Sequence, residues 1–329
     1  MGDVAFGILL ATLASLIMAL NALMVIVLAR LIWRSSYLGL CFVLNLAIAD
    51  ALVGFTITGL ATEELSDAEH HIPQRYCALR MAFITCPCAA SILTVMLVAF
   101  DRYLAIKHPF RYFQIMRSPV VGAFIGGLWL LACLIGFLPV IARSFQQENY
   151  QGSCTFFAVF QPTYLLTVLC VSFFPAFFVF VYFHCHLLKI ASLQMQQIRE
   201  LQQIGLASTY PVSPPSSDMK ALRTVAISVG CFALSWSPFF IGSIVQVVCQ
   251  RCILQHVLER YLWVLGVFNS LVNPLVYAYW QKEVRLQLYR MCRCMKSRVF
   301  PLFWTDSQAR RPGRVVASVH VISLAQFEE

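Results

Sequence analysis

The sequence predicts an all-α membrane protein, a bundle of seven transmembrane helices followed by one short amphipathic helix. Hydrophobic residues make up 60% of the 329 residues and charged residues only 12%, whereas a soluble domain carries about 25% charged residues. Seven apolar runs are each long enough to cross a bilayer, which takes roughly 20 residues. The net charge of +9 does not indicate nucleic acid, because the basic residues lie between the apolar runs and form no patch that could follow phosphates.

The first run has no basic leader and no Ala-x-Ala-like cleavage site, so we interpret it as a retained span rather than a signal peptide. Runs without any charge, such as 118–142 and 224–250, are too long for ordinary core helices. In chain order, the predicted spans are 4–31, 39–61, 77–104, 118–142, 160–188, 222–248 and 259–280.

The segment after the seventh span alternates apolar and charged residues, as expected for an amphipathic helix on the inner leaflet at about 281–292. Residues 1–292 are therefore predicted to form the seven-helix membrane domain, and residues 293–329 a cytosolic, disordered tail. The apolar positions of the amphipathic helix are Val284, Leu286, Leu288 and Tyr289.

The placement of Lys and Arg predicts the orientation, because cytosolic loops are enriched in both residues. The loops at 30–38, 102–118 and 189–223 and the tail from residue 281 hold 19 of the 24 basic residues. We therefore expect the N-terminus outside the cell and the C-terminus in the cytosol.

Asp50 is the one conspicuous ionisable residue at mid-membrane depth, where such residues usually mark function. A cluster of Asp50 with Ser91, Asn269 and Asn273 would supply the oxygens that hold a sodium ion. The alternative is that these groups are polar contacts that fasten the helices to one another. The other polar residues at this depth are Asn21, Asn45 and Ser270.

Most of the 13 cysteines lie inside apolar runs, where a thiol behaves as a small hydrophobic group. On the predicted outer face, Cys77 and Cys154 make one plausible disulfide. Cys249 and Cys252 could make a second; their spacing is also half of a zinc site, but no second Cys/His pair accompanies it. Beside the amphipathic helix, Cys292 and Cys294 are candidates for palmitoylation, with unmodified thiols as the alternative.

Prolines interrupt four of the later spans, and each removes a backbone hydrogen bond and permits a kink. Trp236 stands two residues before Pro238, and Asn273 directly precedes Pro274. A bulky ring beside a hinge is a plausible switch, and aromatic packing at a kink is the alternative.

Taken together, these motifs resemble the rhodopsin-like (class A) G-protein-coupled receptors over roughly residues 4–292. The matching residues are Asn21, Leu46-Ala-Ile-Ala-Asp50, Cys77, Asp101-Arg102-Tyr103, Trp129, Cys154, Pro175, Trp236-Ser-Pro238 and Asn273-Pro-Leu-Val-Tyr277. The resemblance implies a plasma-membrane receptor whose partners are a ligand and a heterotrimeric G protein.

The same resemblance implies an activation switch at the cytosolic end of the third span. Asp101 would hold Arg102 in the inactive state, and Arg102 would meet the G protein in the active state, with Tyr103 completing the triplet. Asp218 is placed to be a second acceptor for Arg102; the alternative is a solvated loop acid. The other expected switch residues are Trp236, Pro238, Asn273, Pro274 and Tyr277.

Two absences narrow the ligand class that the resemblance implies. Amine receptors carry an Asp where this chain has Ile84, and opsins carry a Lys where it has Val267. What remains is an apolar, aromatic cavity with a small polar rim, which suits a long acyl chain with a compact head group. Arg80 would contact that head group or, alternatively, extend to the outer interface. The implied ligand contacts are Arg80, Phe156, Phe157, Trp236, Phe239, Glu259 and Trp263.

Within the family, residues 80–83, 93–97, 110–112, 258–263 and 279–289 resemble a receptor for lipid amides such as oleoylethanolamide and for lysophospholipids such as lysophosphatidylcholine. That resemblance implies coupling to the stimulatory G protein and a rise in cAMP through adenylyl cyclase. The first alternative is a class A receptor for another lipid or apolar small molecule with different coupling.

A seven-span transporter or channel is a remote alternative. It would need several ionisable residues along a pathway, and many transporters are built from internal repeats that this sequence lacks. An enzyme is not expected, because the chain has no nucleophile elbow and no His-Glu-x-x-His motif.

Overall fold

The computed structural model describes residues 2–34, 37–66, 72–168, 217–249 and 252–299, together with single residues and pairs between 174 and 196. The chain divides into two compact units, residues 1–286 and 287–329. The predicted disordered tail falls on the second unit, of which residues 287–299 are described and helical, while residues 300–329 lie outside the described part.

The described secondary structure is helical apart from a single β-bridge between Gln146 and Phe160. The α-helices, numbered here in chain order, are α1 Gly2–Arg34, α2 Leu40–Leu65, α3 Gln74–Lys107, α4 Pro109–Ile115, α5 Ser118–Ile141, α6 Phe156–Val159, α7 Pro162–Val168, α8 Ser217–Val248, α9 Gln255–Trp280 and α10 Lys282–Val299.

Six of the described helices, α1, α2, α3, α5, α8 and α9, are long and apolar enough to span a membrane. They coincide with six of the seven predicted spans, since each predicted run was long, continuous and mostly apolar. The remaining predicted span, 160–188, begins with α7; Pro175 and much of the rest of that span lie outside the described residues.

Several predicted boundaries move outward in the structure, and two of them move by five residues or more. The sixth span was predicted to begin at residue 222, but α8 begins at Ser217, so the backbone of Asp218 is helical; its side chain lies outside the described part. The amphipathic helix was predicted to end at residue 292, but α10 runs to Val299. Cys292 and Cys294 are exposed free thiols on α10.

The helices of the first unit pack through small residues and a few buried polar contacts. At Gly136 of α5, a β-carbon would lie 2.9 Å from the carbonyl oxygen of Ala82, so only glycine permits this close approach to α3. Trp129 donates its indole N–H to Asn45 at 2.8 Å, and the Asn45 amide donates to Thr94 at 2.8 Å. These bonds fasten α5, α2 and α3 together, as polar groups in membrane helices commonly do.

Candidate functional site

A cavity of about 370 Å³ opens between the helices at the end where α3 begins, which we call the disulfide end. Most of its described lining is apolar, and eight lining side chains are aromatic. The aromatic lining residues are Phe6, Phe156, Phe157, Tyr164, Trp236, Phe239, Phe240 and Trp263. Five predicted contact residues are among them, and Glu259, the sixth, also lines the cavity.

Trp236 closes the deep end of the cavity. Its ring stacks on Phe240 with centroids 5.6 Å apart and meets Phe239 edge-on at 6.1 Å. A β-carbon at Gly266 would lie 2.6 Å from the Trp236 ring, so α9 presents glycine where this ring needs space. Trp236 is twelve residues from the end of α8 at Val248, which is about 18 Å of helix. Trp236 therefore lies deep in the cavity when it is viewed from the disulfide end.

The charged groups of the described lining lie at the mouth. Glu259 accepts the backbone N–H of Phe157 at 3.2 Å and the side-chain amide of Gln255 at 3.3 Å. It therefore holds the α6 segment against the start of α9. Leu258–Leu262, which includes Glu259, is a π-helical stretch, a geometry found mostly as single turns at functional sites.

Two ion pairs connect the end of α2 to its neighbours at the mouth. Arg260 pairs with Glu64 at 3.4 Å and lies over the Phe6 ring at 4.6 Å; all three residues line the cavity. Arg80 instead pairs with Glu63 and is not among the described lining residues. The other six predicted ligand contacts all line the cavity. Arg80 differs from them, because its guanidinium lies beside the cavity and is already paired with a carboxylate.

Both predicted disulfides are present. Cys77 at the start of α3 is bonded to Cys154, with Cα atoms 5.4 Å apart. Cys154 directly precedes Thr155, the cap of α6, and itself lines the cavity. The bond therefore anchors the segment that carries Phe156 and Phe157. Cys249 and Cys252 close the short turn between α8 and α9.

Asp50 is fully buried near the middle of α2 and accepts three hydrogen bonds. Ser91 donates at 2.6 Å, Ser270 at 2.7 Å and Asn273 at 2.9 Å. Ser91 and Asn273 were predicted partners. Ser270 was predicted only to lie at this depth, and its backbone carbonyl also accepts the Asn21 amide at 3.0 Å.

The donor set around Asp50 fits a small hard cation. The side-chain oxygens of Asn269 and Asn273 are buried and have no hydrogen-bond partner among the described residues. A narrow space of about 10 Å³, lined by Asp50, Asn21 and Asn273, adjoins the carboxylate. One carboxylate with hydroxyl and amide oxygens is the ligand chemistry of hard cations, while no group of three His, Cys, Asp or Glu suited to other metals occurs in the described part.

At the opposite end, which we call the Arg102 end, Asp101 is fully buried and pairs with Arg102, as the motif predicted. Two tyrosines that the sequence did not single out also hold Asp101. Tyr112 of α4 donates to one carboxylate oxygen at 2.7 Å, and Tyr37, before α2, donates to the other at 3.3 Å. Burial raises the pKa of both Tyr112 and Tyr37, so both phenols keep their protons at physiological pH.

Of the remaining predicted switch residues, Tyr103 lies at the Arg102 end, and those of α8 and α9 lie inside these two helices. Tyr103 is buried and accepts a hydrogen bond from Lys107 at 2.5 Å. Pro238 and Pro274 lie inside α8 and α9, and Tyr277 is buried one turn after Asn273. The predicted contact between Asp218 and Arg102 falls on a side chain outside the described residues.

Comparison with known proteins places these features among receptors. Residues 20–277 match the family model "7 transmembrane receptor (rhodopsin family)". The chain is 53% identical to the Homo sapiens glucose-dependent insulinotropic receptor over 327 residues, which cover 98% of this chain and 97% of that receptor. It is 55% identical to the Rattus norvegicus receptor of the same name over 287 residues, 87% of this chain and 61% of that receptor.

A more distant relative is the Mus musculus 5-hydroxytryptamine receptor 6, which is 28% identical over 306 residues, covering 83% of this chain and 69% of that receptor. The region matched by the family model, residues 20–277, includes the whole Asp50 cluster and the Arg102 end. It also includes every described lining residue of the aromatic cavity except Phe6 and Leu10.

Proposed function

The chain belongs to the rhodopsin family of seven-transmembrane receptors, as its motifs predicted, and we propose that it is activated by a lipid with a long acyl chain and a small polar head. Members of this family are plasma-membrane receptors that act through heterotrimeric G proteins and are not enzymes. The observation that carries the lipid proposal is the cavity itself, an aromatic slot whose charged groups, among the described lining residues, lie at the mouth. Fatty-acid ethanolamides such as oleoylethanolamide and lysophospholipids such as lysophosphatidylcholine have this shape.

The absent anchors support the same ligand class. Ile84 lines the cavity at the position where amine receptors carry an aspartate, so an ammonium group would find no carboxylate there. Val267 is fully buried at the position of the retinal-binding lysine. An acyl chain needs neither charge, because burial of its apolar surface supplies the binding free energy.

In the proposed complex, the acyl chain lies among Phe156, Phe157 and Phe239 and reaches Trp236, while the head group lies among Glu64, Glu259 and Arg260. Contact at Trp236 biases the position of its ring, which packs closely against Gly266 and stands two residues before Pro238, where the missing backbone hydrogen bond permits a kink. A ligand shifts a conformational equilibrium by its difference in affinity for the two states. The ring and the kink are where the proposed ligand gains that difference.

We propose that the output is a rise in cAMP through the stimulatory G protein, which engages the Arg102 end from the cytosol. The support is twofold. The human relative that aligns over 97% of its own length carries the name of an insulinotropic receptor, and basic residues are concentrated in the sequence segments predicted to be cytosolic. The N-terminus is then outside the cell and the C-terminus in the cytosol.

We further propose that the Asp50 cluster holds a sodium ion in the inactive state. Asp50, Ser91, Ser270, Asn269 and Asn273 would supply its oxygens, and the ion would neutralise the buried carboxylate. Because the cluster joins α2, α3 and α9, an ion bound only in one arrangement of these helices disfavours the other.

The test is a cAMP assay in cells that display epitope-tagged receptor at the surface. Oleoylethanolamide and lysophosphatidylcholine should both raise cAMP with a saturable dose dependence. Ethanolamine and acetylethanolamide, which lack the long chain, should not. No change in cAMP with either lipid, at confirmed surface expression, would contradict the lipid proposal. A fall in cAMP would support the lipid ligand but contradict coupling to the stimulatory G protein, and it would indicate an inhibitory G protein instead.

A further inference from the structure

The Arg102 end contains an aromatic side chain that touches both members of the Asp101–Arg102 pair. The Tyr37 hydroxyl donates to an Asp101 carboxylate oxygen at 3.3 Å, and the Arg102 guanidinium carbon lies 4.9 Å from the centre of the Tyr37 ring. Tyr37 belongs to neither α1 nor α2 but to the short connection between them. One side chain therefore holds the acid through its oxygen and the base through its ring.

The position of Tyr37 depends on the residue two places later. Gly39 is buried and has backbone angles of φ −60° and ψ −21°, which any residue adopts. The glycine is therefore needed for space rather than for its backbone. A β-carbon at Gly39 would overlap the Arg102 guanidinium and lie 2.6 Å from the Tyr37 hydroxyl oxygen, a separation that real β-carbons essentially never show. The missing side chain leaves the space in which Tyr37 and Arg102 meet.

The second tyrosine of this end completes the enclosure. Tyr112 stacks on Tyr37 with ring centroids 6.1 Å apart, and the two hydroxyl oxygens are 3.3 Å apart. Each phenol has one proton, and the two protons reach different oxygens of Asp101. The Asp101 carboxylate is fully buried. It is paired with one guanidinium and accepts hydrogen bonds from two phenols.

We propose that Tyr37 is a positioning residue that holds Arg102 against Asp101 in the inactive receptor, and that Gly39 provides the space this contact requires. Arg102 must leave Asp101 to meet the G protein, so each contact with Tyr37 favours the state in which Arg102 is held. Removing them should raise agonist-independent activity. The inference rests on the family's use of Arg102 and is independent of the lipid ligand and of the class of G protein.

Three substitutions separate the contributions of the Tyr37 hydroxyl, the Tyr37 ring and the space at Gly39. Tyr37→Phe removes only the hydroxyl, Tyr37→Leu removes the ring as well, and Gly39→Ala displaces both groups by adding one carbon. Gly59→Ala on the same helix is the matched control, because a β-carbon at Gly59 meets nothing within 4 Å. Gly39→Ala should still fold, since the groups it displaces are the mobile ends of Tyr37 and Arg102.

The measurement is agonist-independent binding of labelled GTPγS, in membranes with equal amounts of surface receptor, to purified heterotrimers from each of the four G-protein classes. Tyr37→Phe should raise the rate about two- to tenfold, the range expected for loss of one hydrogen bond. Tyr37→Leu should raise it at least as much, Gly39→Ala should raise it similarly, and Gly59→Ala should match the wild type. Gly39→Ala should add less in a Tyr37→Leu background than it does alone, because the overlap with the Tyr37 side chain is gone and only the overlap with Arg102 remains.

Merely structural damage would lower the rate, so the expected sign is itself diagnostic. Rates for Tyr37→Phe and Tyr37→Leu at or below the wild type with every heterotrimer would overturn the proposal, and so would a Gly39→Ala rate equal to that of Gly59→Ala. Because all four heterotrimer classes are compared without any agonist, this outcome is separate from failure of the lipids to raise cAMP.

Discussion

Asp50 is the residue around which the middle of the bundle is arranged. Three side chains from α3 and α9 donate to its carboxylate, and the buried side-chain oxygens of Asn269 and Asn273 have no partner in the described structure. The sodium proposal rests on these unpartnered oxygens together with the buried carboxylate, because a set of polar contacts that only joins helices would leave no acceptor unused.

Asp50→Asn is expected to abolish any effect of sodium on agonist affinity, because an amide carries no charge to hold the ion. The measurement is agonist competition binding in sodium chloride and in N-methylglucamine chloride at equal ionic strength. Thr58 lies on the same helix, and its hydroxyl donates to the backbone carbonyl of Phe55. Thr58→Ala should therefore keep the wild-type sodium effect. A full sodium effect in Asp50→Asn would contradict the proposal that the Asp50 cluster binds sodium.

Gly266→Ala is expected to destabilise the receptor and weaken its response, because the new methyl group would lie 2.6 Å from the Trp236 ring. Overpacking of this kind typically costs about 1–3 kcal/mol. Thermal denaturation of the purified receptor should show a lower midpoint than for Gly126→Ala, where a β-carbon meets nothing within 4 Å. Equal midpoints for the two variants would contradict the tight packing at Trp236.

At this scale, residues with unusual chemistry for their surroundings were predictable and ordinary ones were not. Asp50 and the Asp101–Arg102 pair stood out as charges at the edge of, or within, apolar runs. Tyr37 and Tyr112 did not, because a tyrosine in a loop is common and only the fold brings the two phenols to one carboxylate. Arg80 was predicted to contact a ligand, but only the structure reveals its partner Glu63.

Among the elements, the segment that leads into α6 depends on bonds to other helices for its position. The Cys77–Cys154 disulfide fixes its end, Glu259 accepts the Phe157 N–H, and Gln74 donates to the Gln147 carbonyl at 2.5 Å. α6 itself is only four residues long, too short to be stable alone. The cavity wall made by Phe156 and Phe157 therefore exists because these bonds hold it.

Cys154→Ala is expected to lower surface expression or ligand response, since loss of a native disulfide often costs about 2–5 kcal/mol in a small domain. Flow cytometry of tagged receptor and a dose–response curve measure the two effects. Cys133→Ala removes an exposed free thiol and should behave as the wild type. Mass mapping of oxidised receptor that found Cys77 and Cys154 both as free thiols would refute the bond.

The long helices were predictable because membrane spans need only length and hydropathy, which a sequence displays directly. The ends of the helices were less predictable than their apolar centres. Both α8 and α10 extend beyond the predicted limits through polar residues, which can be helical without being apolar. The π-helical stretch Leu258–Leu262 has no signature in composition. Within this stretch, Glu259 accepts the Phe157 N–H from α6, a tertiary contact that hydrophobic periodicity does not encode.

For the molecule as a whole, the asymmetry of charge links the two ends to their proposed roles. The disulfide end carries the aromatic cavity and two ion pairs across its mouth. The described part of the Arg102 end carries the basic residues Arg34, Lys107, Arg111 and Arg117. A ligand outside and a G protein inside can then act on one bundle through Trp236, the Asp50 cluster and Arg102.

The orientation is tested with one epitope tag at each terminus of the full chain. An antibody applied to intact cells should reach the N-terminal tag, and it should reach the C-terminal tag only after the membrane is permeabilised. The reason is the concentration of Lys and Arg on the loops and tail of one side. Staining of the C-terminal tag on intact cells would contradict the assignment.

The central claim is that the aromatic cavity binds the activating lipid, and Trp263 provides its most direct test. Trp263 lines the cavity, whereas Phe268 of the same helix is 45% exposed on its outer surface and is not among the described lining residues. Losing a large aromatic contact costs about 3 kcal/mol, roughly a hundredfold in potency. At equal surface expression, the cAMP response to oleoylethanolamide should shift about a hundredfold to higher concentration in Trp263→Ala and stay near wild type in Phe268→Ala. Superimposable curves for Trp263→Ala and the wild type would contradict the claim.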